Sequence, residues 1–156
     1  MATTDLTNAL DAAGIAYELL PHPHTESALA EAEALGVAPE DVAKTLVVKL
    51  AEGYVRAVLP ASARLDLRKV REIHGGGRHR VHLASEDDLR RDYPEFELGA
   101  VPPVGGGRRD PVVVDPGIVE REKVVIEAGS HEASLRLATT DLVHFAGAAV
   151  TDISQD

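Results

Sequence analysis

The chain has no cysteine. Disulfides, thiolate zinc sites and a cysteine nucleophile are thereby excluded together. Aromatic residues are also scarce, at 3% of 156 residues, although apolar residues make up 44%. A core must therefore be assembled from Val, Leu, Ile and Ala, in a composition typical of globular proteins. No apolar run approaches the length of a membrane span, and the first residues, Met-Ala-Thr-Thr-Asp-Leu-Thr-Asn, carry neither a basic nor an apolar leader segment. The cytoplasm is the expected location. No internal repeat or low-complexity tract interrupts the chain, and its length suits one domain over residues 1–156.

Positive charge is in short supply as well. The net charge is −10, which argues against a long track of phosphate contacts. The distribution is uneven. Residues 64–109 hold ten of the sixteen Lys and Arg, against three in residues 1–63 and three in residues 110–156. The middle third is either an ordinary solvated, salt-bridged surface or a local patch for one nucleic-acid end.

Punctuation and periodicity divide what remains. Helices are expected over about 5–13, 26–35, 67–73, 86–91 and 141–146, with a short helical turn opened by Pro39. Ser85 and Asp88 have capping-box spacing. Strands are expected over 16–20, 46–50, 54–59, 80–83, 112–114, 124–128 and 134–138, with Ala51-Glu52-Gly53 turning a hairpin. The mixture lacks regular β-α alternation, so α+β is favoured over a doubly wound sheet.

Three patterns could carry chemistry. Lys44, in Val42-Ala43-Lys44-Thr45-Leu46-Val47-Val48, is a lone cation beside an apolar strand. Such a lysine can lose its proton and act as a base, stay charged and hold a phosphate or oxyanion, or simply snorkel from a strand start. Gly99-Ala100-Val101-Pro102-Pro103-Val104-Gly105 combines rigid prolines with glycines that allow close backbone approach. It suits an oxyanion hole or a water cradle, and would equally suit a plain surface loop. In Ala128-Gly129-Ser130-His131, at a strand end, His131 could serve as acid, base or hydrogen-bond partner, or stand exposed in a turn. Ser130 lacks a Gly-x-Ser-x-Gly elbow. His22-x-His24 and His79-x-x-His82 offer metal-ligand types, but no His-Glu-x-x-His helix supports them.

The order of these patterns resembles that of the YbaK/prolyl-tRNA synthetase-associated editing family. The resemblance is carried by Lys44-Thr45-Leu46, Gly99-x-x-x-Pro103, Val114-Asp115-Pro116 and Ala128-Gly129-Ser130-His131, with Arg56-Ala57-Val58-Leu59-Pro60-Ala61 and Arg64-Leu65-Asp66-Leu67 also similar. It runs from about residue 15 to 146. It implies a mixed, curved sheet flanked by helices, with a pocket for the aminoacylated terminal adenosine of tRNA. The implied catalytic residues are Lys44, Gly99 and Pro103. Implied substrate contacts are His131, Ser130, Gly129, Thr45, Pro102 and His24. No metal or cofactor is implied.

The implied activity is hydrolysis of the ester of mischarged tRNA by a free-standing editing deacylase. Lys-Thr-Leu is more like members that remove Cys from prolyl-tRNA, whereas Gly-Ser-His looks like members that clear Ala, so Ala, Cys or Ser on prolyl-tRNA are the expected substrates. Contact would be confined to the acceptor end, with a synthetase as a possible further partner. The competing readings are a non-catalytic module that binds aminoacyl-tRNA or a nucleotide in the same pocket, and a hydrolase of other small esters or amides.

Overall fold

The computed structural model describes residues 2–75 and 80–156, with side chains described from residue 5 onward. Six α-helices are present among these residues: α1 (Ala2–Ala12), α2 (Ala28–Leu35), α3 (Leu67–His74), α4 (Glu86–Asp92), α5 (Pro116–Val119) and α6 (Thr139–Ala146). Eight strands accompany them: β1 (Tyr17–Pro21), β2 (Val42–Lys49), β3 (Tyr54–Pro60), β4 (His82–Leu83), β5 (Val112–Val114), β6 (Lys123–Ser130), β7 (Ala133–Ala138) and β8 (Ala149–Val150). A 3₁₀ turn at Pro39–Asp41 leads into β2. The fold is α+β, as the absence of alternation predicts.

The strands form an open mixed sheet in the order β1-β7-β6-β2-β3-β5-β8, with β4 paired to β2 off this path. Parallel pairs (β2 with β6, β3 with β5, β5 with β8) sit beside antiparallel ones (β1 with β7, β6 with β7, β2 with β3). Helices cover both faces. On one, Leu6 and Leu10 of α1, Ile118 of α5 and Leu142 of α6 pack on Val58, Val114, Val124, Ile126 and Leu135. On the other, Val70 of α3 packs on Val48, Val55, Ala57 and Leu59, and Ala28 and Ala32 of α2 pack on Val42 and Val125. The i, i+4 spacing of Leu6 and Leu10 and of Ala28 and Ala32 puts each pair on one helix face.

Several boundaries differ from the sequence expectations. α2 begins at Ala28 rather than Glu26, because the Ser27 hydroxyl accepts the Ala30 amide at 3.1 Å and caps the helix there. α6 begins at Thr139, directly after β7. The short helix α5, not among the expected elements, has a local cause: Asp115 accepts from Gly117 N as N-cap, and Pro116 occupies the first turn. β8, two residues long, carries too little pattern to be seen. The capping box of α4 is formed, with Ser85 N donating to Asp88 at 3.0 Å and Asp88 N donating to Ser85 at 3.1 Å.

The difference that matters most is the start of β2. It begins at Val42, not Leu46, because Val42 and Ala43 are paired on both sides, with Val125 and Ile126 of β6 and, for Ala43, with Pro60 of β3. Lys44 is therefore inside the strand. β2 and β6 run parallel, and their pairing stops at Ala43 and Ile126; β2 regains a neighbour on that edge where the Val47 carbonyl accepts from Ala84 N at 2.9 Å and Val48 and Lys49 pair with β4. The sheet thus opens between residues 44–46 of β2 and the end of β6. Ligands in open α/β sheets commonly bind where parallel strands part company at their carboxyl ends.

Candidate active site

The segment that follows α4 crosses this opening. On the β6 side, Glu97 N donates to the Gly129 carbonyl at 3.0 Å, and the Glu97 carboxylate accepts the His131 amide at 2.7 Å. On the β2–β3 side, Val101 packs with Val47 and Tyr54 in a cluster completed by Tyr93 and Phe96. Pro102 and Pro103 are buried. Ala100, fully buried, closes a turn by donating its amide to Glu97 O at 3.0 Å.

His131 is buried, not exposed in its turn, at 7% of its free surface. Its Nε2 lies 2.5 Å from the Leu98 carbonyl, and since a carbonyl only accepts, Nε2 carries the proton. Gly99 takes φ +82°, a left-handed conformation, and a Cβ there would sit 3.4 Å from His131 Cε1. Gly129 takes φ +93° at the irregularity where the β6–β7 pairing shifts register. The two glycine positions therefore let the loop and the turn approach each other. The Ser130 hydroxyl accepts the Glu132 amide at 3.0 Å and so is spent on turn geometry.

His24 lies beside His131, with ring centroids 5.1 Å apart. It is about half exposed and pairs with Glu26 at 2.6 Å. Its imidazolium is favoured by the Glu26 hydrogen bond, which raises its pKa. Glu26 also approaches His131 Nε2 at 3.8 Å.

Lys44 is half-buried, and its ammonium donates to the Ala63 carbonyl. Burial, and then the nearby Arg64 cation, lower its pKa. Neither Lys44 nor Arg64 forms an ion pair among the described residues. Thr45 follows on β2, so its side chain projects to the opposite face. It stands across from Val58, with its hydroxyl buried and without a hydrogen-bond partner among the described residues. The structure therefore brings His24, Gly99, Gly129, Ser130 and His131 together. Lys44 stands on the other bank of the opening, turned toward Ala63.

Two features escaped the sequence reading. Arg56, 1% exposed in the middle of β3, donates to the carbonyls of Pro102 at 3.1 Å and Gly105 at 2.7 Å. A single cation in the otherwise apolar run Tyr54–Leu59 was the available signal. Second, Glu31 of α2 and Glu127 of β6 form a buried carboxyl pair, 1% and 7% exposed, with the Ser134 hydroxyl donating to Glu31 and His22 Nε2 2.9 Å from that hydroxyl. Burial and then the neighbouring Glu31 push Glu127 up to about 9. Burial raises Glu31 as well, against the opposing Ser134 hydrogen bond. Nothing in the sequence marks this pair, since the two acids are far apart along the chain.

Among the described residues there is no group of three or more His, Asp or Glu that could hold a metal ion. His79 of the His79-x-x-His82 pattern lies outside the described residues, as does Arg78 of the basic middle third. No described helix is long and apolar enough to cross a membrane.

A parallel pair that parts, a glycine- and proline-rich loop tied across it and a half-buried lysine on one of its strands are the features that the structure presents for comparison. Comparison with known proteins makes this specific. Residues 22–145 match the model of the aminoacyl-tRNA editing domain, and the chain belongs to that family. A candidate trans-editing enzyme for prolyl tRNA synthetase shares the fold with a TM-score of 0.89 and 25% identity, covering 99% of this chain and 98% of its own. The hypothetical protein APE2540 is similar at a TM-score of 0.88 and 29% identity, over 97% and 99% of the two chains. A scaffold used for computational epitope grafting shares the fold alone, at 22% identity and a TM-score of 0.86. None of the curated proteins compared matches the chain.

Proposed function

We propose that this protein is a deacylase that acts in trans on mischarged tRNA, releasing the wrong amino acid from the terminal adenosine. The observation that carries the proposal is the bridging of the sheet opening. The Gly99–Pro103 loop is tied to the His131 turn by Glu97 and by His131 itself, where β6 parts from β2, the strand that carries Lys44. Membership of the editing family supports the same reading.

The chemistry asked of the site is modest. An aminoacyl ester is already activated; water adds to its carbonyl carbon, a tetrahedral oxyanion forms, and the carbon–oxygen bond to the ribose breaks as the ribose oxygen takes a proton. Preorganised backbone donors stabilise such an oxyanion. Pro102 and Pro103 have no N–H and the Ala100 amide is engaged, so the loop's donors are Gly99 and Val101. His131, with its Nε2 proton committed to Leu98, holds the loop and lines the amino-acid side of the site, with His24, Ser130 and Gly129 around it. Thr45 and Pro102 complete the substrate contacts.

Lys44 acts in its charged form. With Arg64 as its charged neighbour and no carboxylate paired with either among the described residues, the two present net positive charge to the terminal phosphate or ribose. The water is activated with help from the terminal ribose hydroxyl of the substrate, as the likeness to the editing family suggests. Hydrolysis of a deoxy-terminated tRNA at the normal rate would remove the ribose from the mechanism. The amino acid cleared is Ala, Cys or Ser on prolyl-tRNA, and the acceptor end alone is gripped, either by this chain or with a synthetase. The test is release of amino acid from those substrates by the purified protein, dependent on Lys44.

A further inference from the structure

β3 is buried along its whole length, yet its third residue is Arg56. A buried guanidinium is costly unless acceptors surround it. Among the described residues its two terminal nitrogens donate to backbone carbonyls of one segment, Pro102 at 3.1 Å, Gly105 at 2.7 Å and Arg108 at 3.4 Å, while its Nε is buried without a partner. Its plane is backed by the rings of Tyr93, 5.1 Å away, and Phe96, 6.0 Å away. Asp110, whose carboxyl feels the Arg56 charge, is occupied by the Tyr93 hydroxyl and by Arg108 at 2.9 Å.

That segment has few other means of being fixed. It forms no helix or strand, and two of its residues are prolines, which donate nothing to a backbone ladder. Side-chain donors must do the fixing, and Arg56 supplies them from beneath. Its partner across β2 is Val47, one of the side chains against which Val101 packs. We infer that Arg56 is a positioning residue for ester hydrolysis, setting the Gly99–Pro103 loop by fixing the carbonyls of Pro102 and Gly105 from the sheet side. The inference rests on the deacylase reading above for its consequence in catalysis, but the clamp itself does not.

Arg56→Lys keeps the cation but has one point charge where the fork reaches several carbonyls. Arg56→Met keeps most of the volume and donates nothing. The experiment compares both with the parent protein in amide hydrogen exchange, thermal unfolding, and kcat and KM on mischarged prolyl-tRNA. The lysine variant is expected to retain cooperative unfolding and parent exchange rates in β2, β3 and β6. Its exchange at residues 99–105 should be at least tenfold faster. Misplacing the loop by about 1 Å should lower kcat on the order of 100-fold while KM stays within about threefold, because the loop's backbone donors act on the oxyanion that forms only in the transition state. The methionine variant should show the same split.

Parent exchange across 99–105 together with kcat within about twofold in the lysine variant would overturn the inference. So would a uniform rise in exchange over the whole sheet, which would make Arg56 a core residue without a particular hold on the loop. If the parent protein itself releases no amino acid, the deacylase reading fails, and the local exchange at 99–105 still decides whether the clamp exists.

Discussion

Replacing Glu127 by Gln should abolish a pH dependence that the parent protein carries in its stability. Glu127 and Glu31 meet between β6 and α2, 7% and 1% exposed, and Glu127 is pushed from an ordinary 4.5 up to about 9 by burial and by its neighbour. Between those values the folded protein holds a proton that the unfolded chain has released. Stability contributed by that proton is fully present below the unfolded value and is lost as pH rises toward the folded one. The slope is about 1.4 kcal/mol per pH unit, so about 3 kcal/mol accumulates between pH 5.5 and 7.5. In Glu127→Gln the amide donates to the Glu31 carboxylate without titrating. Urea unfolding of both proteins across that range, at fixed ionic strength, should show the variant gaining on the parent by about 3 kcal/mol. Because all other groups are shared, the difference isolates the pair. Two stability curves running parallel with pH would refute a proton held between these carboxyls.

The remaining predictions concern the site and one helix. If Lys44 works charged, activity should fall in alkali earlier than an ordinary lysine would dictate, because burial and Arg64 lower its pKa; Arg64→Ala should move that alkaline limb to higher pH, and a limb unmoved by the substitution would contradict the assigned role. Gly99→Ala forces a Cβ into a left-handed backbone 3.4 Å from His131 Cε1, so it should cost about 1–2 kcal/mol in unfolding free energy and lower deacylation. Ser85→Ala removes the capping box of α4 and should cost about 1 kcal/mol by urea unfolding, with no change in deacylation rate. Binding of mischarged tRNA should weaken only shallowly with salt, as contact at the acceptor end alone requires; a slope near that of a protein neutralising six or more phosphates would contradict it.

Most of the architecture was legible because it is local. Leu6 and Leu10, the Ala51-Glu52-Gly53 turn and the Ser85/Asp88 box each announce their element through spacing within a few residues. The start of β2 was not legible, since Val42 and Ala43 are strand residues by virtue of pairing with Val125 and Ile126, a contact spanning about half the chain. The site divides in the same way. Lys44, the Gly99–Pro103 loop and the His131 turn stand out as short motifs, but their order alone could not show that His131 is buried and bonded to Leu98. Nor could it show that Lys44 and Thr45 project to opposite faces. Arg56 and the Glu31–Glu127 pair gain their meaning only from tertiary contacts.

The central claim is tested most directly by a deacylation assay on the purified protein. The substrates are prolyl-tRNA charged with Ala, Ser or Cys, correctly charged Pro-tRNA, and Ala-tRNA and Thr-tRNA, each repeated with Lys44→Ala. The account predicts fast release from at least one mischarged prolyl-tRNA, sparing of Pro-tRNA, and loss of release in a Lys44→Ala variant that unfolds like the parent. No release from any of the six, or release undiminished without Lys44, would contradict it.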